Sequence, residues 1–136
     1  MHPLYQQANA ITHDVINAAI EVHKEMGPGL IESIYEWCLI KELELRGYNV
    51  RTQETIIVRY KIFQREENLK FDVLVNSYLL VESKAVEKIH PIHKAKTLSY
   101  MKLLDVPVGL LINFHVERLT NGVSRLILPH ANMPDE

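Results

Sequence analysis

The spacing of apolar residues divides the first third of the chain into two helices. Apolar side chains recur at helical spacing over residues 8–26, and Gly27-Pro28-Gly29 ends that segment. A second helix is predicted over residues 31–46, with Gly47 as its left-handed cap. After Gly47 the helical spacing gives way to short apolar runs, which are typical of strands.

The rest of the chain predicts strands interrupted by one helix. The predicted segments are, in order, a strand over residues 48–60, a charged turn over 64–70, strands over 71–75 and 78–84, a helix over 91–104, a strand over 106–114, an edge strand over 123–128 and a frayed end over 131–136. A strand–helix–strand connection requires parallel pairing and a right-handed crossover. We therefore expect an α/β fold in which helices pack on a mixed sheet.

Length and composition bound the class of protein. The chain has 136 residues, 47% of them hydrophobic, which is enough for one domain with one core. A single cysteine, Cys38, fits a reducing compartment, and neither a signal peptide nor an apolar run of the roughly 20 residues that cross a bilayer is visible. We expect one domain over residues 1–136, with an N-terminal helix over 8–26 and a core over 31–128, in the cytoplasm and without a membrane partner.

Charge is unevenly distributed along the chain. The net charge of −2 argues against a passive nucleic-acid binder, which is usually basic. Between Lys84 and Lys102, however, five lysines stand against one acid, Glu87. Two interpretations stay open: this segment is a solvated helix face, or it guides a polyanion.

Charged residues in two apolar strands suggest a metal site. Asp72 lies within one predicted strand, and Glu82 and Lys84 end the next. Glu82 and Lys84 point to the same side because side chains alternate along a strand. A charge within a sheet is costly unless it is paired or bound to a metal. The alternative is that both acids cap strand ends at the surface.

The strand register tests this site. With a strict two-residue loop at Asn76 and Ser77, Asp72 and Glu82 would lie on opposite faces of the sheet. A shared site requires a loop of odd length or a bulge. We therefore predict such an irregularity between residues 74 and 82.

A third acid follows the first helix break. Glu32 lies three residues after Gly29 and three before Tyr35, which gives the spacing G-x-x-E-x-x-Y. Taken alone, Glu32 is explained as a first-turn acid that interacts favourably with a helix N-terminus. Tyr35 is likewise explained as a core residue with a bonded hydroxyl.

Together these residues resemble a known family. The G-x-x-E-x-x-Y spacing resembles the motif of the GxxExxY proteins, which belong to the PD-(D/E)XK nuclease superfamily. The similarity covers most of the chain and includes Ala19-Ile20-Glu21-Val22-His23, Gly27-Pro28-Gly29-Leu30, Asp72-Val73-Leu74-Val75, Glu82-Ser83-Lys84-Ala85-Val86, Pro91-Ile92-His93 and Gly109-Leu110-Leu111-Ile112-Asn113-Phe114. The joint match is specific, whereas Asp…Glu-x-Lys alone is only moderately so.

The resemblance implies a restriction-endonuclease-like αβββαβ core and a metal-dependent nuclease activity. It implies that Asp72, Glu82 and Glu32 bind the metal, and that these acids and Lys84 are the catalytic residues. Mg²⁺, which prefers oxygen ligands, is the expected ion, with Mn²⁺ as an alternative.

The helix after the Glu-x-Lys pair is expected to meet the substrate. One position departs from the family, because Lys96 stands where a glutamine is usual. Lysines attract the phosphate backbone, and no base-reading element is apparent, so we expect low sequence specificity. The residues expected to contact nucleic acid, with DNA favoured over RNA, are Lys94, Lys96, Tyr35, Tyr100 and His93.

Three further possibilities stay open. A nuclease-like module that binds nucleic acid or a protein partner without turnover is the alternative function, favoured by the acidic balance and by Lys96. His90 and His93 with Glu87 are a candidate zinc site, although no fourth ligand is near. The predicted edge strand over 123–128 would allow a homodimer.

Overall fold

A computed structural model describes residues 1–134 of the chain. The elements are α1 (Tyr5–Met26), α2 (Glu32–Leu45), β1 (Val50–Tyr60), β2 (Phe63–Val75), β3 (Leu79–Lys84), α3 (Pro91–Leu104), β4 (Val108–Asn113), a short 3₁₀ helix (Leu119–Gly122) and β5 (Val123–Ile127). The predicted order of two helices, three strands, one helix and two strands is confirmed, and the bounds of α3 agree with the predicted ones.

The five strands form one sheet in the order β1-β2-β3-β4-β5. Neighbouring strands are antiparallel except for β3 and β4, which are parallel. α3 connects these two strands, as the predicted crossover requires. The mixed sheet is therefore confirmed, with β1 and β5 at its edges.

Helices cover both faces of the sheet. α1 and α2 pack on one face, where the buried cluster includes Val15, Ala18, Leu39, Leu43, Val73 and Val81. α3 packs on the other face, where the buried cluster is Leu69, Phe71, Leu74, Leu80, Met101 and Val106. Gly109 of β4 permits close packing of α3, because a Cβ at this position would lie 2.6 Å from the sulfur of Met101.

The first hairpin differs from the prediction. Residues 64–70, expected to form a charged turn, belong to β2 instead, and the turn is confined to Lys61 and Ile62. Tyr60 pairs with Phe63 at its tip. The prediction was wrong because both faces of this part of the hairpin are largely exposed, so its side chains are charged while its backbone still forms a regular ladder.

The end of the chain is more ordered than predicted. Ala131, expected to begin a frayed segment, is 5% exposed, and its carbonyl accepts a hydrogen bond of 2.8 Å from the backbone N–H of His2. The two termini are therefore joined. Positions 135 and 136 of the predicted domain and of its frayed end lie outside the described residues.

Candidate active site

The loop between β2 and β3 brings two carboxylates together. Val75 pairs with Leu79, so three residues rather than two form the loop. Two of them, Asn76 (φ 51°) and Ser77 (φ 66°), have left-handed backbone conformations. Continuing this register by one pair from Val73 and Val81 places Asp72 opposite Glu82, and opposite residues of an antiparallel pair are close neighbours. The predicted loop of odd length is confirmed.

The carboxylate pair is partly removed from water. Glu82 is 5% exposed. Burial, and after it the negative charge of Asp72, raises the pKa of Glu82 to about 8. Asp72 Oδ2 accepts a hydrogen bond of 2.7 Å from the backbone N–H of Ser83, which holds this carboxylate at the end of β3. A bound cation would relieve the repulsion between two acids at such a position.

The donor atoms of this pair fit a hard divalent cation. Glu82 Oε1 is buried and has no hydrogen-bond partner among residues 1–134, which is costly for an acceptor of this kind. Within residues 1–134 no group of three or more His, Cys, Asp or Glu side chains is close enough to enclose a metal ion. Because Mg²⁺ usually keeps several waters and takes one or two protein carboxylates, Asp72 and Glu82 alone match its needs.

The lysine and the third acid of the predicted site form a pair of their own. Lys84 Nζ lies 3.4 Å from Glu32 Oε1. Glu32 occupies the first turn of α2, and Lys84 ends β3. The side chain of Lys84 is 18% exposed and that of Glu32 is 39% exposed. Glu32 therefore orients Lys84 in this structure and does not complete the carboxylate pair.

Glu36 is a site residue that the sequence prediction left out. It lies one turn after Glu32 on α2 and is half-buried. Burial raises its pKa, and the charges of Asp72 and Glu32 raise it further, whereas Lys84 lowers it. All four groups therefore share one electrostatic environment. The four-residue spacing from Glu32 was the available signal, since residues i and i+4 lie on one helix face.

Asn113 is a second residue that the prediction did not single out. It ends β4 and is 4% exposed. Its side-chain amide donates to the carbonyl of Val86 at 2.8 Å, and its side-chain oxygen accepts from the N–H of Val86 at 3.1 Å. These bonds hold the chain just after Lys84. A polar residue at the end of a wholly buried strand was the sequence signal.

The two lysines expected to guide substrate lie on different surfaces of α3. Burial and the charge of Asp72 raise the pKa of Glu82, and the charge of Lys96 is near enough to offset part of that rise. The ammonium of Lys96 also lies 5.5 Å from the ring centre of Tyr100, which is half-buried against the α3-side core. Lys94 instead lines a depression with Lys88 and residues after β4. Two positions along a helix are about 200° apart, which separates these lysines.

The structure corrects the prediction that Tyr35 contacts nucleic acid. Tyr35 is fully buried, and its ring stacks on that of Phe114 at a centroid distance of 4.6 Å. Its hydroxyl donates to the carbonyl of Gly27 and accepts from the N–H of Leu30 at 3.1 Å. The hydroxyl thus holds the loop before α2, where Gly29 has φ 96°. The core interpretation of Tyr35 is the one that the geometry supports.

His93 caps a helix in this structure. Its Nδ1 accepts a hydrogen bond of 3.0 Å from the backbone N–H of His90, at the N-terminus of α3. The rings of the two histidines are 5.7 Å apart and tilted. Over the described part of the chain, they do not form a three-ligand group with Glu87 or any other acid, so the zinc alternative finds no support.

A helix-flanked mixed sheet with a carboxylate pair and a lysine at the end of a central strand defines a nuclease-like α/β protein. The sequence model of the PD-(D/E)XK nuclease superfamily matches residues 9–126, and the chain belongs to this superfamily. The restriction-endonuclease-like fold expected from the sequence is thereby confirmed. No curated protein and no solved structure matches the chain significantly. Among residues 1–134, no helix is both long and apolar enough to cross a membrane.

Proposed function

We propose that this protein is a metal-dependent nuclease that hydrolyses phosphodiester bonds with little sequence specificity. The observation that carries the proposal is the pair of half-buried Asp72 and buried Glu82, with one Glu82 oxygen that lacks a hydrogen-bond partner among residues 1–134 and with Lys84 two residues along the same strand. Superfamily membership supports a nucleic-acid substrate. The G-x-x-E-x-x-Y spacing supports placement among the GxxExxY proteins, which we also propose.

The carboxylates have the role of holding the cation. Asp72 and Glu82 would bind Mg²⁺, with Mn²⁺ as an alternative, because both oxygens are hard acceptors at one end of β3. When bound, the cation supplies Lewis acidity toward the scissile phosphate and lowers the pKa of a water. Glu36 adds negative potential beside Asp72, which favours cation binding.

Lys84 and Glu32 have the role of handling the substrate. The ammonium of Lys84 is a compact charge with three donors, one of which Glu32 Oε1 accepts at 3.4 Å. The remaining donors orient the attacking water and offset the negative charge that grows on the phosphate. Glu32 keeps the ammonium in place and is a positioning residue in this arrangement. A water-mediated link from Glu32 to the cation stays part of the proposal.

Substrate contacts outside the reacting centre would come from α3. Lys96 lies beside the carboxylate pair and would meet the phosphate backbone there, with Tyr100 supporting its stem. Lys94, which is exposed on the other surface of α3, and the half-buried His93 at its start would contact the phosphate backbone separately from Lys96. DNA as the preferred substrate and a cytoplasmic location, which the single Cys38 fits, stay predictions. So does a homodimer through the exposed edge of β5.

The test is cleavage of labelled DNA and RNA in single-stranded, duplex and branched forms, with Mg²⁺ or Mn²⁺. Lys84→Ala should lower the cleavage rate at least about 100-fold, because one preorganised donor to a developing charge contributes this much. Lys102→Ala, which removes an exposed lysine far along α3, should leave the rate unchanged. Wild-type protein that cleaves none of these substrates, or equal rates in both variants, would contradict the proposal.

A nuclease-like module without turnover is the second candidate. Lys96 favours it, since a positive charge beside the carboxylate pair opposes a cation as well as attracting phosphate. In that case nucleic acid should bind without cleavage, and Lys84→Ala should weaken binding no more than loss of any one exposed lysine. The same panel of substrates, followed by fluorescence anisotropy, separates the two functions.

A further inference from the structure

The tip of the first hairpin is an exposed apolar surface far from the core. We call residues 57–66 the arm. Within it Tyr60 and Phe63 are each 66% exposed, and Ile62 at the turn is 91% exposed. Large apolar side chains with this exposure contribute nothing to the core. An exposed cluster of this kind usually marks a binding surface.

The two aromatic rings lie on one face of the arm. Tyr60 pairs with Phe63 across the hairpin, and Val58 pairs with Arg65 next to them, so these four side chains share a face. Ile56 lies two residues before Val58 on β1, so its side chain is on the same face, and it packs against the α3-side core. The aromatic face therefore continues the side of the sheet on which α3 and Lys96 lie.

The tip is positively charged. The arm contains three cations, Arg59, Lys61 and Arg65, and one acid, Glu66. Arg65 pairs with Glu67, but within residues 1–134 neither Arg59 nor Lys61 has an ion-pair partner. The ammonium of Lys61 lies 5.3 Å from the ring centre of Tyr60. Flat aromatic surface beside unpaired cations is complementary to a nucleic-acid strand, which offers base faces and phosphates together.

The arm projects from the edge of the sheet that holds the candidate active site. The pairing of β2 with β3 ends at Val73 and Val81, and β3 continues for three more residues to Lys84, so roughly the first seven residues of β2 extend beyond the end of β3. At about 3.3 Å per residue this extension is roughly 23 Å long. This places the arm within reach of a nucleic-acid strand that binds at the carboxylate pair.

We propose that the arm binds unpaired bases of the substrate strand, with Tyr60 and Phe63 stacking on base faces and Lys61, whose ammonium lies near the Tyr60 ring, contacting phosphates. This inference rests on the proposed function and names its substrate class: single-stranded or branched nucleic acid rather than continuous duplex. Base faces are covered in a duplex and free in an unpaired strand, so a stacking surface discriminates between them. Cations alone would not discriminate between an unpaired strand and a duplex, since both carry phosphates.

The test is fluorescence anisotropy with a labelled oligothymidine and a labelled blunt duplex, in the absence of divalent cations. A double variant, Tyr60→Ala with Phe63→Ala, should weaken binding of the single strand at least about tenfold, because each stacked base contributes about fivefold or more. Binding of the duplex should change less than twofold. The control is Ile57→Ala, a 46% exposed residue on the opposite face of the arm, which should change neither affinity.

Equal losses for the two oligonucleotides, or no loss for either, would overturn the inference. So would a dimer in light scattering that the double variant converts to monomer with no change in affinity, since the arm would then bind a second copy. A 2-aminopurine label that is quenched by wild type but not by the double variant would support stacking. Binding is measured without cleavage, so the inference can stand even if the protein hydrolyses no nucleic acid. If the protein cleaves nucleic acid but the double variant binds the single strand as tightly as wild type, the inference fails and the proposed nuclease function stands.

Discussion

Asp72 and Glu82 lie opposite each other because the loop between β2 and β3 has three residues. The two carboxyl groups are therefore close together, and the buried one, Glu82, lacks a full set of hydrogen-bond partners within residues 1–134. A pair of this kind destabilises the protein when both acids are ionised. A cation bound at the end of this central strand would relieve the repulsion. The arrangement thus predicts a direct effect of divalent ions on stability.

Mn²⁺ or Mg²⁺ should raise the melting temperature of the wild-type protein. At a cation concentration ten times Kd, the free energy of unfolding rises by about 1.4 kcal/mol, which corresponds to about 4 °C for a chain of this size. Asp72→Asn should abolish the shift while keeping an oxygen that accepts from the N–H of Ser83. Differential scanning fluorimetry measures both. An equal shift in the variant would show that ions bind elsewhere.

Replacing Lys96 by glutamine should strengthen cation binding. The charge of Lys96 acts on Glu82, so Lys96→Gln removes a repulsive neighbour of the cation. We expect a two- to fivefold lower Kd for Mn²⁺ at about 0.1 M salt. Isothermal titration calorimetry measures it. Lys94→Gln, on the same helix but on another surface, is the matched control and should have no effect.

Tyr35→Phe should destabilise the protein although it keeps the stacked ring. The change leaves the carbonyl of Gly27 without a donor and the N–H of Leu30 without an acceptor. Loss of such partners costs about 1–3 kcal/mol. Urea denaturation gives the free energy of unfolding. Tyr60→Phe removes a hydroxyl from an exposed ring and should cost less than about 0.5 kcal/mol. Similar losses in both variants would refute the structural role of the Tyr35 hydroxyl.

A hydrogen bond between Tyr48 and Asp14 should make stability depend on pH at both ends of the range. The bond is 2.6 Å long and joins the chain before β1 to α1. The Tyr48 hydroxyl lowers the pKa of Asp14 from 3.8, so this contribution is present above that value and is lost as pH falls. Burial, and after it Asp14, raises the pKa of Tyr48 from 10.0 to about 12, so that contribution is lost as pH rises.

Tyr48→Phe should therefore lower the free energy of unfolding by about 1 kcal/mol near neutral pH, because Asp14 is partly exposed and also pairs with Arg46. The difference from wild type should shrink below about pH 4 and above about pH 10. Urea denaturation at pH 3, 7 and 11 measures it. A difference that is constant across this range would mean that packing, and not the bond to Asp14, is what the variant loses.

Much of the fold could be predicted because it depends on neighbours in sequence. The bounds of α3 follow from apolar spacing, and the parallel pairing of β3 with β4 follows from the helix between them. The full length of the first hairpin was not predicted, because it does not show in the local spacing of apolar residues. Residues 64–70 bury little apolar surface, so periodicity indicates a turn there, while backbone pairing with β1 makes them a strand.

The candidate site was only partly predictable. Asp72, Glu82 and Lys84 stand out because charge is unusual in apolar strands, whereas Glu36 resembles any other helix acid until α2 is packed beside β2. Tyr35 shows the reverse, since its motif suggests chemistry and its burial assigns it to the core.

The sequence by itself determined the order of elements, the α/β class and the residue types available for chemistry, because these follow from local periodicity and from charge in apolar segments. Only the tertiary structure decided which acids meet, that Tyr35 is buried in the core, and that the arm extends past the site. The physical reason is that one residue more or less in a loop inverts which side chains share a face, and packing of distant elements selects the register.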